Sequence, residues 1–122
     1  MLVGHSLGSR AVLLYLDQFK HHVRAVFLVA PFANWVENAS RREGVAYPDF
    51  FEYKIDVEEL KKLSDTFVAV HSLDDDHIDF QQGEEIAHDL GAKLVTLEDR
   101  LHMSSPDNAP VILQILREAL QF

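Results

Sequence analysis

Three short apolar runs, separated by segments of helical character, constrain the fold of this chain more than any other feature. They are Ala25–Ala30, Thr66–Val70 and Lys93–Leu97. A continuous apolar run bounded by polar residues is typical of a strand buried on both faces, as in a parallel sheet. Repetition of strand and helix with right-handed crossovers then predicts an α/β fold, a three-layer sandwich around a mostly parallel sheet.

The segments between and after these runs carry the signals of helices. Apolar residues at helical spacing predict a helix over Asp79–Leu90, with Asp79 as its cap and Gly91 as the residue that ends it. A final helix is predicted over Val111–Leu116, which would begin near Asp107–Asn108 and pack on the sheet. A short amphipathic helix is expected over Val57–Leu63.

One stretch, residues 34–56, is long for a crossover and dense in aromatic side chains. One interpretation is a small lid whose aromatic side chains line an apolar pocket for the substrate. The other is that they pack an irregular excursion onto a single domain spanning residues 1–122. The aromatic residues of this stretch are Trp35, Tyr47, Phe50, Phe51 and Tyr53.

Composition excludes several classes of function. The chain has 122 residues, with 20 acidic and 11 basic side chains and a net charge of −9. This balance disfavours nucleic acid and anionic membranes as partners. The absence of cysteine excludes disulfides, thiolate metal sites and a thiol nucleophile. No apolar run approaches the ~20 residues of a membrane span, and no signal peptide is recognisable, so the sequence predicts a cytoplasmic protein.

The motif Gly4-His5-Ser6-Leu7-Gly8 lies between an apolar, β-compatible Met1–Val3 and a predicted helix over Ala11–Leu16. A serine hydroxyl is a weak nucleophile, and a sharp strand-to-helix turn lifts it clear of the backbone. Glycines on both sides of Ser6 are expected to remove the Cβ atoms that this turn would crowd. The alternative is a glycine-rich turn with an idle serine; a phosphate-binding turn would need the lysine of a P-loop, which is missing.

A serine nucleophile needs a histidine base and an acid that orients this base. Four aspartates, residues 74, 75, 76 and 79, follow the predicted strand Thr66–Val70, and His102 follows the strand Lys93–Leu97. The ends of parallel strands meet at one edge of the sheet, so these loops are expected to converge beside Ser6.

Together, the turn at Ser6, the Ser72–Asp75 loop and the His102 loop resemble the α/β-hydrolase superfamily. Within it, they are similar to the small serine hydrolases related to retinoblastoma-binding protein nine. The resemblance implies that Ser6 is the nucleophile, Asp75 the acid and His102 the base, without a cofactor. It also implies that the Leu7 N–H binds the oxyanion.

The family's histidine commonly follows a glycine and precedes an aromatic residue, whereas Leu101 and Met103 flank it here.

The resemblance covers only the C-terminal two thirds or so of such a protein, without its N-terminal strands. A second oxyanion donor would come from an earlier loop, and loss of one such donor typically costs ~10²–10³ in rate. The first strand, Met1–Val3, would be an exposed edge open to dimerisation or pairing with another chain.

The expected activity is hydrolysis of small carboxylic esters or amides through an acyl-enzyme. The alternative is a hydrolase-fold binding module with little or no turnover. No metal is predicted, because the acids near His77 lack the glycine and glutamate of a calcium loop; they are expected to be solvated. A structural or pocket role, rather than that of the base, is expected for the remaining histidines considered, His5, His21, His22, His71 and His88. The pair His21–His22 is placed at the end of the first helix, where a cation would favour the helix dipole.

Overall fold

The computed structural model of the chain describes residues 1–34 and 48–121. Four strands and four α-helices alternate along these described residues. They are β1 (Leu2–His5), α1 (Leu7–Phe19), β2 (Val26–Val29), α2 (Pro48–Phe51), β3 (Phe67–Ser72), α3 (Phe80–Leu90), β4 (Lys93–Leu97) and α4 (Ala109–Leu120), with 3₁₀ turns at Val57–Leu63 and Pro106–Asn108.

The four strands form one parallel sheet in the order β1-β2-β3-β4. Val26 of β2 lies opposite Leu2 on one side and opposite Phe67 on the other, so three strands begin in register. Strand β3 runs two residues further and pairs Ser72 with Leu97 of β4. All carboxyl ends therefore point to one edge of the sheet, where the loops that follow β1, β3 and β4 emerge.

Alternation along β2 divides the core into two layers. Val26 and Leu28 face Leu13 and Leu16 of α1, together with side chains of α3. Phe27 and Val29 face the opposite side of the sheet, where α4 covers them. The sheet is thus buried between helices on both faces, and the predicted three-layer α/β architecture and the packing of the final helix on the sheet are confirmed.

The ends of several helices differ from the sequence-based expectations. Helix α1 ends at Phe19, because Lys20 adopts the left-handed conformation (φ 55°) and donates its N–H to Leu16. His21 and His22 therefore lie beyond the helix, and their predicted position in its last turn was wrong. Gly91 ends α3 with φ 64°, as predicted.

The short amphipathic helix expected over Val57–Leu63 is confirmed: it is a 3₁₀ helix that buries Val57, Leu60 and Leu63. The expected caps need correction. Asp79 and Asn108 occupy N-cap positions, but neither side chain makes a capping hydrogen bond.

The described parts of the excursion at residues 34–56 are fastened to α1 by Arg10, a fully buried side chain. Its Nε donates to the carbonyl of Phe50 at 2.7 Å, Nη2 donates to Tyr53 at 2.7 Å, and Nη1 donates to Ala33. Burial lowers the pKa of this guanidinium. The base of the excursion is thus tied directly to the helix that follows Ser6.

The aromatic residues of the excursion have different environments. Phe51 is buried in a cluster with Phe32 and Ile78, whereas Tyr53 is half exposed and donates its hydroxyl to Asp17 at 2.6 Å. Trp35 and Tyr47 lie outside the described residues, so the predicted lid stays a prediction.

Two further observations concern the outside of the fold. Strand β1 is an edge of the sheet, and Met1 and Val3 are 54% and 51% exposed. In the described part of the chain, no helix combines the length and the apolar character needed to cross a membrane.

Candidate active site

Ser6 occupies the turn between β1 and α1 in a strained conformation. Its φ of 55° and ψ of −114° lie in a region that residues other than glycine rarely adopt. The backbone N–H of Ser6 donates to Val29 at 2.9 Å, and the Oγ of Ser9 donates to Gly4 at 3.0 Å and Val29 at 3.3 Å. These bonds hold the turn that carries Ser6.

The two glycines of the motif are not equivalent. A Cβ atom on Gly4 would lie 2.5 Å from the carbonyl oxygen of Gly8 and 2.7 Å from the nitrogen of Ser9. On Gly8, a Cβ atom would point into open space, with no described atom beyond its own helix backbone and chain neighbours within 4 Å. The prediction that glycine relieves crowding is therefore right for Gly4 and wrong for Gly8.

The structure brings Ser6, His102 and Asp75 into one hydrogen-bonded chain. The distance from Ser6 Oγ to His102 Nε2 is 2.9 Å, and His102 Nδ1 lies 3.0 Å from both carboxylate oxygens of Asp75. Because a carboxylate only accepts, His102 must carry its proton on Nδ1, which leaves the Nε2 lone pair free to accept the serine hydroxyl. This tautomer is the one that a general base requires.

Asp75 is held in place from several sides. Its Oδ1 accepts the backbone N–H groups of His77 and Ile78, both at 2.9 Å, and its Oδ2 lies 3.1 Å from His71 Nε2. Burial raises the pKa of Asp75, but the hydrogen bonds from His102, His71, Ile78 and His77 outweigh it and hold the pKa well below its usual range. A buried side chain thus retains its negative charge beside the imidazole.

Asp74, one residue earlier, has a different role. Its Oδ1 accepts the hydroxyl of Ser72 at 2.6 Å and the N–H of Leu101 at 3.1 Å, and Ser72 Oγ in turn accepts the N–H of Arg100 at 3.1 Å. The hydrogen bond from Ser72 lowers the pKa of Asp74. Asp74 is exposed, as expected of a solvated loop acid, and it also ties the acid loop to the histidine loop. The Ser-x-Asp spacing, in which a hydroxyl can bond a carboxylate two residues on, was the signal for this link.

The histidine loop is shaped by three left-handed residues. Asp99, Leu101 and Met103 have φ values of 57°, 51° and 60°. Met103 is buried against Phe27 and the second layer of the core, while Leu101 is 52% exposed. The buried Met103 anchors the loop immediately after His102. None of the three is a glycine, so turn propensity does not predict their left-handed conformation.

Two other histidines contact His102. His5 donates its Nε2 to the carbonyl of His102 at 2.8 Å, and the ring of His77 stacks on the ring of His102 with centroids 4.7 Å apart and planes 20° apart. His5 thus contacts the backbone of the histidine loop. Sequence reasoning did not single out the stacking by His77.

Asp75, His77 and His102 present potential metal ligands within 4.8 Å of one another. However, Nδ1 of His102 is bonded to Asp75, and Nδ1 of His77 lies 3.0 Å from Asp76. The acids considered from sequence, around residues 74, 76 and 79, are not this group. That the chain uses no metal stays a prediction.

A cavity of about 190 Å³ borders His102. The backbone N–H of Leu7, which follows Ser6, is the first of α1 and has no acceptor within the helix. It is the group that was predicted to bind an oxyanion. The cavity is lined by residues that include His77, Arg100, Leu101, His102, Met103 and Ser105.

Among proteins of known sequence, the rat (Rattus norvegicus) protein called Serine hydrolase RBBP9 is 25% identical over 107 residues, which is 88% of this chain and 54% of the relative. This chain thus spans about half the length of that relative.

Solved structures show the same fold. The ydeN gene product of B. subtilis superposes with a TM-score of 0.79 at 19% identity, covering 98% of this chain and 64% of that one. The meta-cleavage product hydrolase CumD of Pseudomonas fluorescens IP01 gives 0.75 at 10% identity, with 98% and 63% covered. The esterase RhEst1 of Rhodococcus sp. ECU1013 gives 0.67 at 13% identity, with 96% and 63% covered.

These neighbours share the fold of this chain. The family model described as Serine hydrolase matches residues 1–108, a span that holds Ser6, Asp75 and His102. The chain therefore belongs to the serine hydrolase family, as its sequence motifs predicted.

Proposed function

We propose that this chain cleaves small carboxylic esters or amides, with Ser6 as nucleophile, His102 as general base and Asp75 as the acid that orients His102. The observation that carries the proposal is the unbroken path from Ser6 Oγ to His102 at 2.9 Å and on to Asp75 at 3.0 Å. A nucleophile bonded to a base, which is oriented by a third group, is the arrangement that activates a serine.

The proposed reaction follows from the tautomer of His102. Ser6 Oγ attacks the acyl carbon while its proton passes to His102 Nε2, and the carbonyl oxygen becomes an oxyanion that the Leu7 N–H stabilises. The tetrahedral intermediate then collapses, the leaving group takes the proton from His102, and an acyl-enzyme on Ser6 remains. Water, deprotonated by the same nitrogen, attacks this ester to release the acid and restore the hydroxyl of Ser6.

The cavity that borders His102, which is not lined by Ser6, is small. Its volume of about 190 Å³ lies below the ~300 Å³ at which pockets for drug-sized ligands begin. Apolar side chains of Leu101 and the buried Met103 lie beside polar groups in its lining. We therefore expect short acyl or alcohol groups to be preferred over long ones, which can be tested by comparing nitrophenyl acetate with nitrophenyl octanoate.

A fluorophosphonate probe tests the proposed nucleophile directly, because it reacts only with an activated serine. We expect the probe to label Ser6, the variant Ser6→Ala to remain unlabelled, and the control Ser64→Ala, which removes the serine that follows the 3₁₀ helix before β3, to be labelled normally. Each variant is first checked for folding by circular dichroism. Absence of labelling in well-folded protein would contradict the proposal and favour the binding module instead.

A further inference from the structure

Asp75 is shared by two histidines, and the second of them has no part in the reaction derived above. His71 is the fifth residue of β3 and is fully buried. Its Nε2 lies 2.9 Å from the carbonyl oxygen of Ile78 and 3.1 Å from Oδ2 of Asp75. Side-chain exposure is 0% for both His71 and Asp75, so their contact is shielded from water.

The partners of His71 determine its tautomer. A carbonyl and an ionised carboxylate only accept hydrogen bonds, so Nε2 must carry a proton and donate to both. The other nitrogen, Nδ1, is buried and has no hydrogen-bond partner among the described residues. A proton on Nδ1 would be a buried donor without an acceptor, at a cost that a lone pair largely avoids. The geometry therefore favours the neutral ring with its proton on Nε2.

The surroundings of His71 are fitted to this ring position. Gly83 of α3 faces it, and a Cβ atom there would lie 2.4 Å from Nδ1 and 3.0 Å from the ring carbon Cγ. Phe80 approaches edge-on, with ring centroids 5.7 Å apart and planes 75° apart. The helix that covers this face of the sheet thus leaves room for His71 and restricts its movement.

From these contacts we propose that His71 is a positioning residue: its Nε2–H fixes Oδ2 of Asp75, so that the carboxylate keeps the orientation in which it bonds His102. The inference rests on the proposed function, because it assigns a role in the same site. The backbone amides of His77 and Ile78 hold only Oδ1. Without His71, the carboxylate could rotate about this fixed oxygen and carry Oδ2 away from His102.

Two substitutions separate positioning from folding. His71→Leu removes the donor, whereas His71→Gln carries an amide N–H that reaches about as far as Nε2. We expect kcat of His71→Leu to fall roughly 10- to 100-fold, since a misplacement of about 1 Å costs up to about 10²-fold. KM should stay within about twofold, and His71→Gln should recover most of kcat. Equal losses in both folded variants would overturn the proposal.

A third variant shifts the ring of His71 while leaving His71 itself in place. Gly83→Ala places a methyl group against Nδ1 of His71, while alanine favours a helix over glycine by about 1 kcal/mol. A loss of kcat in folded Gly83→Ala, with KM unchanged, is the expected result. Full activity in this variant would argue against positioning by His71.

Nuclear magnetic resonance gives a readout that does not need activity. In ¹⁵N-labelled protein, we expect His71 to show a protonated Nε2 and an unprotonated Nδ1 at neutral pH. We also expect the far-downfield proton on His102 Nδ1 to persist in His71→Gln and to shift or vanish in His71→Leu. A proton on Nδ1 of His71 in the wild-type chain would overturn the inference even if no variant folds.

The two proposals can fail separately. If the His102 proton responds to His71→Leu as expected but Ser6 is never labelled by the fluorophosphonate, positioning of Asp75 stands and the hydrolase activity fails. If Ser6 is labelled and the His102 proton ignores both substitutions at His71, the activity stands and the role of His71 fails.

Discussion

Replacement of Asp75 by asparagine tests the proposed site most sharply, because the surrounding donors dictate how the amide must sit. Oδ1 accepts two backbone N–H groups at 2.9 Å, from His77 and Ile78. An NH₂ group cannot accept these bonds, so the amide oxygen takes the Oδ1 position. The NH₂ group is then forced to the Oδ2 position, 3.0 Å from His102 Nδ1 and 3.1 Å from His71 Nε2.

The consequence is a change of tautomer at His102. Oδ1 also lies 3.0 Å from His102 Nδ1, but it already accepts two backbone N–H groups. The NH₂ donor at the Oδ2 position therefore takes the lone pair of His102 Nδ1, and the ring proton moves to Nε2 and points at Ser6 Oγ, 2.9 Å away. Ser6 then faces a donor instead of a base. Loss of the correct tautomer in a serine triad lowers kcat by about 10⁴, which corresponds to about 5 kcal/mol in the barrier.

Hydrolysis of nitrophenyl acetate measures this effect, with Asp65→Asn as the matched control. Asp65 precedes β3, at the opposite end of this strand from Asp75, and its exposed carboxylate lies 3.5 Å from His22. We expect kcat to fall about 10⁴-fold in Asp75→Asn and to change less than about twofold in Asp65→Asn. If folded Asp75→Asn retains more than a tenth of the wild-type kcat, the tautomer argument is refuted.

Four further predictions concern stability and association. Gly4→Ala should cost about 1–3 kcal/mol in the free energy of unfolding because its methyl group meets backbone, whereas Gly8→Ala should be neutral or slightly stabilising; urea denaturation compares the two. Arg10→Lys should cost about 3 kcal/mol by the same measurement, since an ammonium cannot serve three carbonyls held by a planar guanidinium. The folded-state pKa of Asp75 is depressed, so its stabilisation is present above the unfolded value of about 3.9 and is lost as the pH falls toward the folded value; the stability advantage over Asp75→Asn should shrink below about pH 4. We propose that the β1 edge pairs with another strand, so Val3→Lys should reduce self-association in analytical ultracentrifugation.

The fold was readable from sequence because its signals are local and mutually consistent. The apolar run at residues 25–30 was assigned as a strand, and the structure places β2 at Val26–Val29, buried along its whole length. The run at Lys93–Leu97 was assigned with its exact bounds. Parallel order followed because helical segments separate the strands, and the convergence of the loops followed from parallel order.

Features that depend on tertiary contacts could not be predicted from the sequence. The end of α1 at Phe19 depends on a lysine in a left-handed conformation, which propensity does not favour. The crowding at Gly4, and the open space at Gly8, depend on which way each Cβ would point. The stacking of His77 on His102 joins residues from two loops, and no local sequence pattern predicts such a contact.

The neighbouring aspartates 74 and 75 show how one loop divides two tasks between identical side chains. The exposed Asp74 accepts from Ser72 and Leu101, so its carboxylate joins the loop after β3 to the loop after β4. The buried Asp75 faces inward and bonds His102. The hydrogen bonds of Asp74 fix the distance between the two loops. At this distance, the hydrogen bond between Asp75 and His102 orients the imidazole toward Ser6. Loss of Asp74 should therefore impair catalysis through the placement of His102, with less effect than loss of Asp75, because the buried hydrogen bond to His102 would remain.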